Sequence, residues 1–457
     1  MNPSMRYILK HLLTGKPLAL SVVILALVAA IPAVANTNAV PAYTLEACIE
    51  IGLDRAAVLE NAARDVEIAG AKVRQTRAQA LPELKGSAAY TRVDEVVSYD
   101  LGSGPITMGK LDNYSAGLSA SQLLFSGGQV SAALRAAKLY RNYSTLAAEQ
   151  KRQALIRDIQ TSFYGILLAA KQVEVEQESV RQLEDFVRQT EDKYRNGKAS
   201  EFDLLTAQVR LANNRPDLVK ARNQLAVARE AFRNLLHLDE SDFALSGELS
   251  CAPEPTDLDA LQRQGLEERR EIKQQVIWVD LLQQNTTVAR ADYWPTIRAV
   301  AAYDGSNPDS YSTGTSDWGW HWSAGLTAEW SFMDGGLRGG KVLESKLELF
   351  KAETDLDELK KAVLLEIKQA HLDLQHAQEA LTGSRENVLL AEKALAIART
   401  RYEAGLSTYL EFTETNLALS TARLAYYSAT RDYLDARARL DYACGAVNPS
   451  TTEEPAR

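Results

Sequence analysis

Glu411 and Glu414 lie three residues apart at the start of a helical stretch, so their carboxylates share one helix face. Acids so placed can attract cations, yet most such pairs are solvated surface charges, and their spacing alone does not separate the two readings. Other chemistries find less support. His371 and His376 stand five apart, which does not align two metal ligands on a helix. Gly102-Ser103-Gly104 lacks the Lys-Ser/Thr that completes a phosphate loop. Cys48, Cys251 and Cys444 form no cluster with histidine, and the four methionines form no tract. No catalytic group, metal or cofactor is expected.

The acids belong to a pattern that occurs twice. Lys193-Tyr194-Arg195-Asn196-Gly197-Lys198-Ala199-Ser200-Glu201-Phe202-Asp203 returns 208 residues later as Arg401-Tyr402-Glu403-Ala404-Gly405-Leu406-Ser407-Thr408-Tyr409-Leu410-Glu411. Tyr, Gly, the hydroxyl residue and the carboxylate keep their places, and Asp203 occupies in the first copy the position of Glu411. Two copies of one elongated unit are implied.

Each copy is built around a long helix. No proline interrupts Gly128 to Tyr194 or Gly336 to Tyr402, and one helix over such a span rises roughly 100 Å. In the second copy Val363, Ile367, Ala370, Leu374, Ala377, Leu381, Val388, Ala391, Leu395, Ala398 and Tyr402 recur at alternating steps of four and three, broken at Ser384. Most positions 208 residues earlier are apolar as well, so the seam has coiled-coil periodicity. A solvated bundle would show the same seam. After the turns at Asn196-Gly197 and Ala404-Gly405 shorter helices return, from Ser200 to about His237 and from Thr408 to about Tyr442, and Thr44 to Leu81 and Leu258 to Tyr293 supply two more.

What precedes each long helix is not explained by a bundle. Trp320, Trp322, Ala324, Leu326, Ala328 and Trp330 alternate with His321, Ser323, Gly325, Thr327, Glu329 and Ser331. One face is apolar with aromatic ends and the other polar, as in the lipid-facing strands of a membrane barrel. Tyr114, Ala116, Leu118, Ala120 and Leu124 repeat the device, with partners at Leu84 to Val97 and Thr296 to Tyr303. Segments 98–112 and 304–317 are rich in Gly, Ser, Asp and Pro and read as loops, leaving no further strands. Four strands cannot close a barrel, but three chains would supply an even-numbered twelve.

Arg6, Lys10 and Lys16, the apolar run Leu18 to Ala30 and Ala33-Val34-Ala35 read as a secretory signal over residues 1–35. Its removal takes the formal charge from -9 to -12, and an acidic chain without a basic face does not suggest nucleic-acid binding. Leu45-Glu46-Ala47-Cys48 faintly resembles a lipid-attachment box but carries Glu inside it and lies past the apolar run, so Cys48 reads as a helix residue. In an exported chain one pair among the three cysteines could be oxidised, leaving one free. The organisation is then a first repeat over 36–250, a linker with Pro253 and Pro255 over 251–257, a second repeat over 258–444 and a tail over 445–457.

With its opening Tyr43-Thr44-Leu45-Glu46, the junctions Leu124-Phe125-Ser126-Gly127-Gly128 and Phe332-Met333-Asp334-Gly335-Gly336, and two Tyr-x-x-Gly turns, the chain resembles the TolC-like outer-membrane efflux family from Tyr43 to Cys444. The resemblance implies a mainly α fold with a membrane β-barrel. A homotrimer would join twelve strands into a barrel in the outer membrane of a Gram-negative bacterium, continuous with a twelve-helix periplasmic α-barrel. Such a duct is not an enzyme and carries no energy source; it docks onto a periplasmic adaptor (membrane fusion) protein and an inner-membrane transporter of RND, ABC or MFS type. The rival class, a soluble periplasmic adaptor or scaffold, would show one hairpin flanked by small β-domains.

The resemblance also assigns residues. Glu411 and Glu414 match the family's constriction acids, and Tyr402 and Asp203 match residues that tie neighbouring coils shut. A basic residue often found two places after the second turn glycine is replaced here by Ser407. Gly197, Lys198, Ala199 and Ser200, with Gly405, Leu406, Ser407 and Thr408, would be the tips an adaptor recognises, while Trp320, Trp322 and Trp330 would form the membrane's aromatic rim. Cys251 and Cys444 follow the ends of matching return helices, which the resemblance brings near the duct's waist, so a disulfide between them is expected.

Overall fold

The computed structural model describes residues 42–96, 98–100, 102, 104–107, 109–238, 243–311, 317–404 and 406–446. The expected signal segment, Gly405 and most of the C-terminal tail lie outside the described residues. Two units are distinguished: a small one, in which only Ala42, Phe243 and Ala244 are described, and the main one, Tyr43–Ser241 with Leu245–Arg457. Apart from the first residues of two short strands, all that follows concerns the main unit.

The repeat is kept residue for residue in its helices. Long helices α3 (Gln129–Arg195) and α7 (Leu337–Glu403) have 67 residues each, and return helices α4 (Glu201–Leu235) and α8 (Tyr409–Ala443) have 35 each. Every one of these boundaries is displaced by 208. Each expected leading helix is instead two, α1 (Leu45–Arg55) and α2 (Ala57–Ala78) in the first copy, α5 (Leu258–Glu268) and α6 (Arg270–Ala291) in the second. They break at Ala56 and Arg269, whose ψ values of 115° and 125° are extended rather than helical. At the second break Arg269 is buried, with Glu271 and Glu366 at 3.0 and 2.8 Å, and donates to the Ala443 carbonyl at 3.0 Å. Those partners offset the cost of burying a guanidinium and pin the bend to the end of α8.

The copies share a packing device. Gly52 of α1 leaves room for the Cδ1 tip of Ile159, and Gly265 of α5 does the same for Ile367. Both isoleucines are fully buried. The seam of α7 is where its periodicity put it: Val363, Ile367, Leu374, Ala377 and Leu381 pack with Tyr433, Ala436 and Leu440 of α8 in one apolar cluster. The two long helices differ in company. α3 packs extensively against α1, α2, α4, α6 and α8, whereas the main packing of α7 is against α5, α6 and α8, so much more of α7 is exposed.

Strands β2 (Glu83–Arg92), β5 (Asp112–Phe125), β7 (Thr296–Asn307) and β8 (Gly319–Glu329) form one antiparallel sheet in the order β2-β5-β7-β8. Its register aligns Leu118, Tyr303 and Trp322 across three strands, and Ser119, Ala302 and Ser323 in the next row. Apolar positions thus share one face, as the alternation predicted. The expected loop over 98–112 is not strandless: β3 (Ser98–Asp100) and β4 (Pro105–Thr107) pair across the turn containing Gly102 and Gly104, both of positive φ. Two further two-residue strands, β1 (Ala42–Tyr43) and β6 (Ala244–Leu245), were also missed, being too short to show a period.

Each long helix starts at a glycine pair. Gly128 and Gly336 cap α3 and α7 at φ 87° and 93°, a left-handed conformation that a side chain disfavours. The preceding Gly127 lies under Trp294 and the Ala291 carbonyl, where a Cβ would come within 2.7 and 2.8 Å. Its counterpart Gly335 has nothing within 4 Å in the same test.

Among the described residues no helix is long and apolar enough to cross a membrane.

Candidate functional site

The tips of the two helical hairpins hold the expected site residues. At the first tip Gly197, φ 67°, lets Lys198 N–H reach the Lys193 carbonyl at 2.8 Å and Gly197 N–H the Tyr194 carbonyl at 2.9 Å. This left-handed closure satisfies the last carbonyls of α3. Ser200 then caps α4 reciprocally: its hydroxyl accepts from Asp203 N–H at 3.2 Å while the Asp203 carboxylate accepts from Ser200 N–H at 3.0 Å and from its hydroxyl at 2.7 Å. Those bonds hold the Asp203 carboxyl below the ordinary carboxylate value.

The second tip repeats the frame with one change. Leu406 N–H reaches the Arg401 carbonyl at 2.8 Å, and Thr408 caps α8 by accepting from Glu411 N–H at 3.3 Å. The return bond is absent, so the Glu411 carboxylate is left free where Asp203 is occupied by its own cap. Glu411 and Glu414 are exposed on the same face of α8, and neither carboxylate makes an ion pair or hydrogen bond among the described residues. Lys198, Ser200, Leu406 and Thr408 are exposed, Ala199 and Ser407 half-buried, and the Ser407 hydroxyl oxygen is enclosed without a hydrogen-bond partner among the described residues.

Tyr402 and Asp203 are not brought together within the chain. The Tyr402 hydroxyl accepts from Lys193 Nζ at 2.9 Å, and that ammonium also lies 5.0 Å from the centre of the Tyr402 ring. Phe412 and Tyr409 pack against Tyr402 with ring centres 5.7 and 5.8 Å away, and Phe186 stacks on Tyr409. Burial there pushes the Tyr409 phenol well above its usual value. Further from the tip Arg210 donates to the Thr413 hydroxyl at 2.6 Å and Asn416 donates to Gln182. Lys193, Phe186, Arg210 and Gln182 were missed as site residues. A signal existed for Lys193, because a base followed by Tyr opens the turn motif in both copies.

On the sheet, Trp320 stacks on Tyr303 and Trp318 with ring centres 5.2 and 5.7 Å apart, near one end of the apolar face. Trp322 is exposed on that face, and near the other end Trp330 donates to the Tyr293 carbonyl at 3.2 Å. The expected disulfide is not present: Cys48, Cys251 and Cys444 are all free thiols. Cys251 and Cys444 do share the apolar cluster around Ile367, but that cluster is packed without a bridge. Burial pushes the Cys444 thiol up to about 11 and the Cys48 thiol up to about 12.

A duplicated hairpin of coiled-coil helices joined to half-apolar strands, with acids at a tip, defines a class of outer-membrane duct. The chain belongs to the outer membrane efflux protein family, whose family model matches residues 49–236 and 261–446. It is similar to outer membrane protein TolC of Vibrio cholerae, 22% identical over 371 residues that span 79% of this chain and 83% of that one. It is also similar to cation efflux system protein CusC of Escherichia coli, 22% identical over 375 residues, 79% of this chain and 78% of that one. Among solved structures the Campylobacter jejuni CmeC outer membrane channel superposes with a TM-score of 0.76 at 17% identity, covering 88% of this chain and 85% of that one. The protein is thus an outer-membrane efflux channel, and a soluble scaffold is not favoured.

Proposed function

We propose that three copies form one duct. Their sheets close into a twelve-stranded barrel and their hairpins into a helical tube, which narrows at the tips. One observation carries this reading: the repeat is only half satisfied inside a single chain. Ala132, Ala136, Leu139 and Tyr140 of α3 cover Leu281, Leu282 and Trp278 of α6 or lie beside them on the same face. The positions 208 residues on, Gly340, Glu344, Leu347 and Glu348, line an open groove on α7 with Leu343, and Leu343 and Leu347 are each 58% exposed. The helix that would fill this groove by symmetry is α2 of another copy. The empty space over Gly335, against the filled space over Gly127, follows the same rule.

In this duct Glu411 and Glu414 of three chains form a ring of six carboxylates that favours cations. The tips at 197–200 and 405–408 receive a periplasmic adaptor, and an inner-membrane transporter of RND, ABC or MFS type supplies the energy. Residues 1–35 are removed on export, and the two repeats meet at 251–257. Trp320, Trp322 and Trp330 contact outer-membrane lipid. Native mass measurement of the detergent-purified protein tests the assembly: a trimer is expected, and a stable monomeric barrel would refute it.

A further inference from the structure

Lys193 and Tyr402 join the end of α3 to the end of α7 within one chain. Advanced by 208, Lys193 becomes Arg401; set back by 208, Tyr402 becomes Tyr194. A cation and a tyrosine therefore stand at the two symmetry-related positions as well, but no hydrogen bond or ring contact joins them within the chain among the described residues. Both are unpartnered there: Arg401 is exposed, Tyr194 is 43% exposed, and neither side chain has a hydrogen bond or ion pair among the described residues. Neighbouring cations are already held by their own helices, Arg195 by Glu191 at 2.6 Å and Arg399 by Glu403 at 3.1 Å. Arg401 has no such partner on its own helix among the described residues.

We infer that Arg401 of each protomer bonds to Tyr194 of the next, so that the narrow end is closed by six cation–tyrosine links, three within protomers and three between them. The inference rests on the trimeric reading and adds to it the chemistry of the seam between copies. A guanidinium suits this place, since it can both donate to a phenol oxygen and lie over an aromatic ring. The other polar side-chain contacts described above between the two hairpins do not survive the same operation. Gln182 and Asn416 map to Leu390 and Gln208, and Arg210 and Thr413 map to Ala418 and Leu205. Among the polar contacts traced between the two tips, the cation–tyrosine pair is the one whose chemistry is retained at both seams.

The test uses the full-length protein in detergent with Cys251→Ser, which removes the least buried native thiol. Arg401→Cys combined with Tyr194→Cys, treated with a short bifunctional thiol reagent, should give covalent dimers and trimers on a denaturing gel. Lys193→Cys with Tyr402→Cys should consume both thiols and remain monomeric. A trimer by native mass that yields no covalent ladder from the first pair overturns the link and leaves the trimer standing, whereas a monomer by native mass removes both. In single channels of the unmodified chain, Tyr194→Phe keeps the ring and removes the acceptor, and mean conductance should rise about threefold as the open state gains weight. Unchanged conductance would show that the pair does not hold the entrance closed.

Discussion

Glu411 and Asp203 occupy the same place in the two copies, but of the two it is the Asp203 carboxylate that is tied back into its own cap. Asp203 is bound by Ser200, so its contribution to holding the first turn of α4 is present above the ordinary aspartate value of about 3.9 and is lost only as pH falls through its lower folded value. Glu411, without that return bond, leaves its carboxylate exposed to solvent. Changing Glu411 and Glu414 to Gln should therefore lower cation preference in reversal-potential measurements and weaken block by multivalent cations, while Asp203→Asn should leave selectivity alone and speed amide exchange in the first turn of α4. Thiol chemistry gives a second check. Cys48 and Cys444 are buried with raised values, so in the folded protein at pH 8 Cys251 should be alkylated first, with the other two reacting only on unfolding. The turn glycines and the shared helix face of Glu411 and Glu414 were legible because local spacing fixes them, though the role of the acids rested on the family resemblance. The partner of Tyr402 was not legible, because Lys193 lies 209 residues away and only the fold brings it near.

Between elements, the chain contrasts two seams. Within it, α3 meets α8 through polar and aromatic contacts: Thr161 donates to Asp435 at 2.6 Å, and Lys171 lies 5.7 Å from the centre of the Tyr427 ring. The positions of Asp435 and Tyr427 are taken in α4 by Val227 and Val219, which are 61% and 65% exposed in the single chain. In the proposed trimer these valines would be covered by α7 of a second copy, where the positions of Thr161 and Lys171 are taken by Gln369 and Glu379, so apolar burial on one side replaces the polar pairing of the first seam. Val219→Asp with Val227→Asp should weaken the trimer about tenfold or more on dilution, read by native mass, with helicity by circular dichroism unchanged. The long helices, their seam and the strand pairs were legible because period and length are strong signals. The breaks at Ala56 and Arg269 were not, since neither residue interrupts a helix on its own; packing against the ends of the return helices imposes the bend.

At the scale of the whole molecule, the sheet register separates a face for lipid from a face for water. Trp322→Arg places a charge on the apolar face and should destabilise the membrane part by about 2–4 kcal/mol, seen as loss of heat-resistant trimer on gels, whereas Ser323→Arg one residue on should be tolerated. The order β2-β5-β7-β8 also leaves β2 and β8 as edges of ten and eleven residues. Their unpaired backbone groups cannot be left in hydrocarbon and are prone to stray pairing in water. In the proposed trimer a single chain would therefore have no state in which it could enter the membrane alone. Insertion and association become a single event, and the yield of mature channel should climb more steeply than linearly with the rate of chain delivery, leaving slow expression to feed periplasmic proteolysis instead.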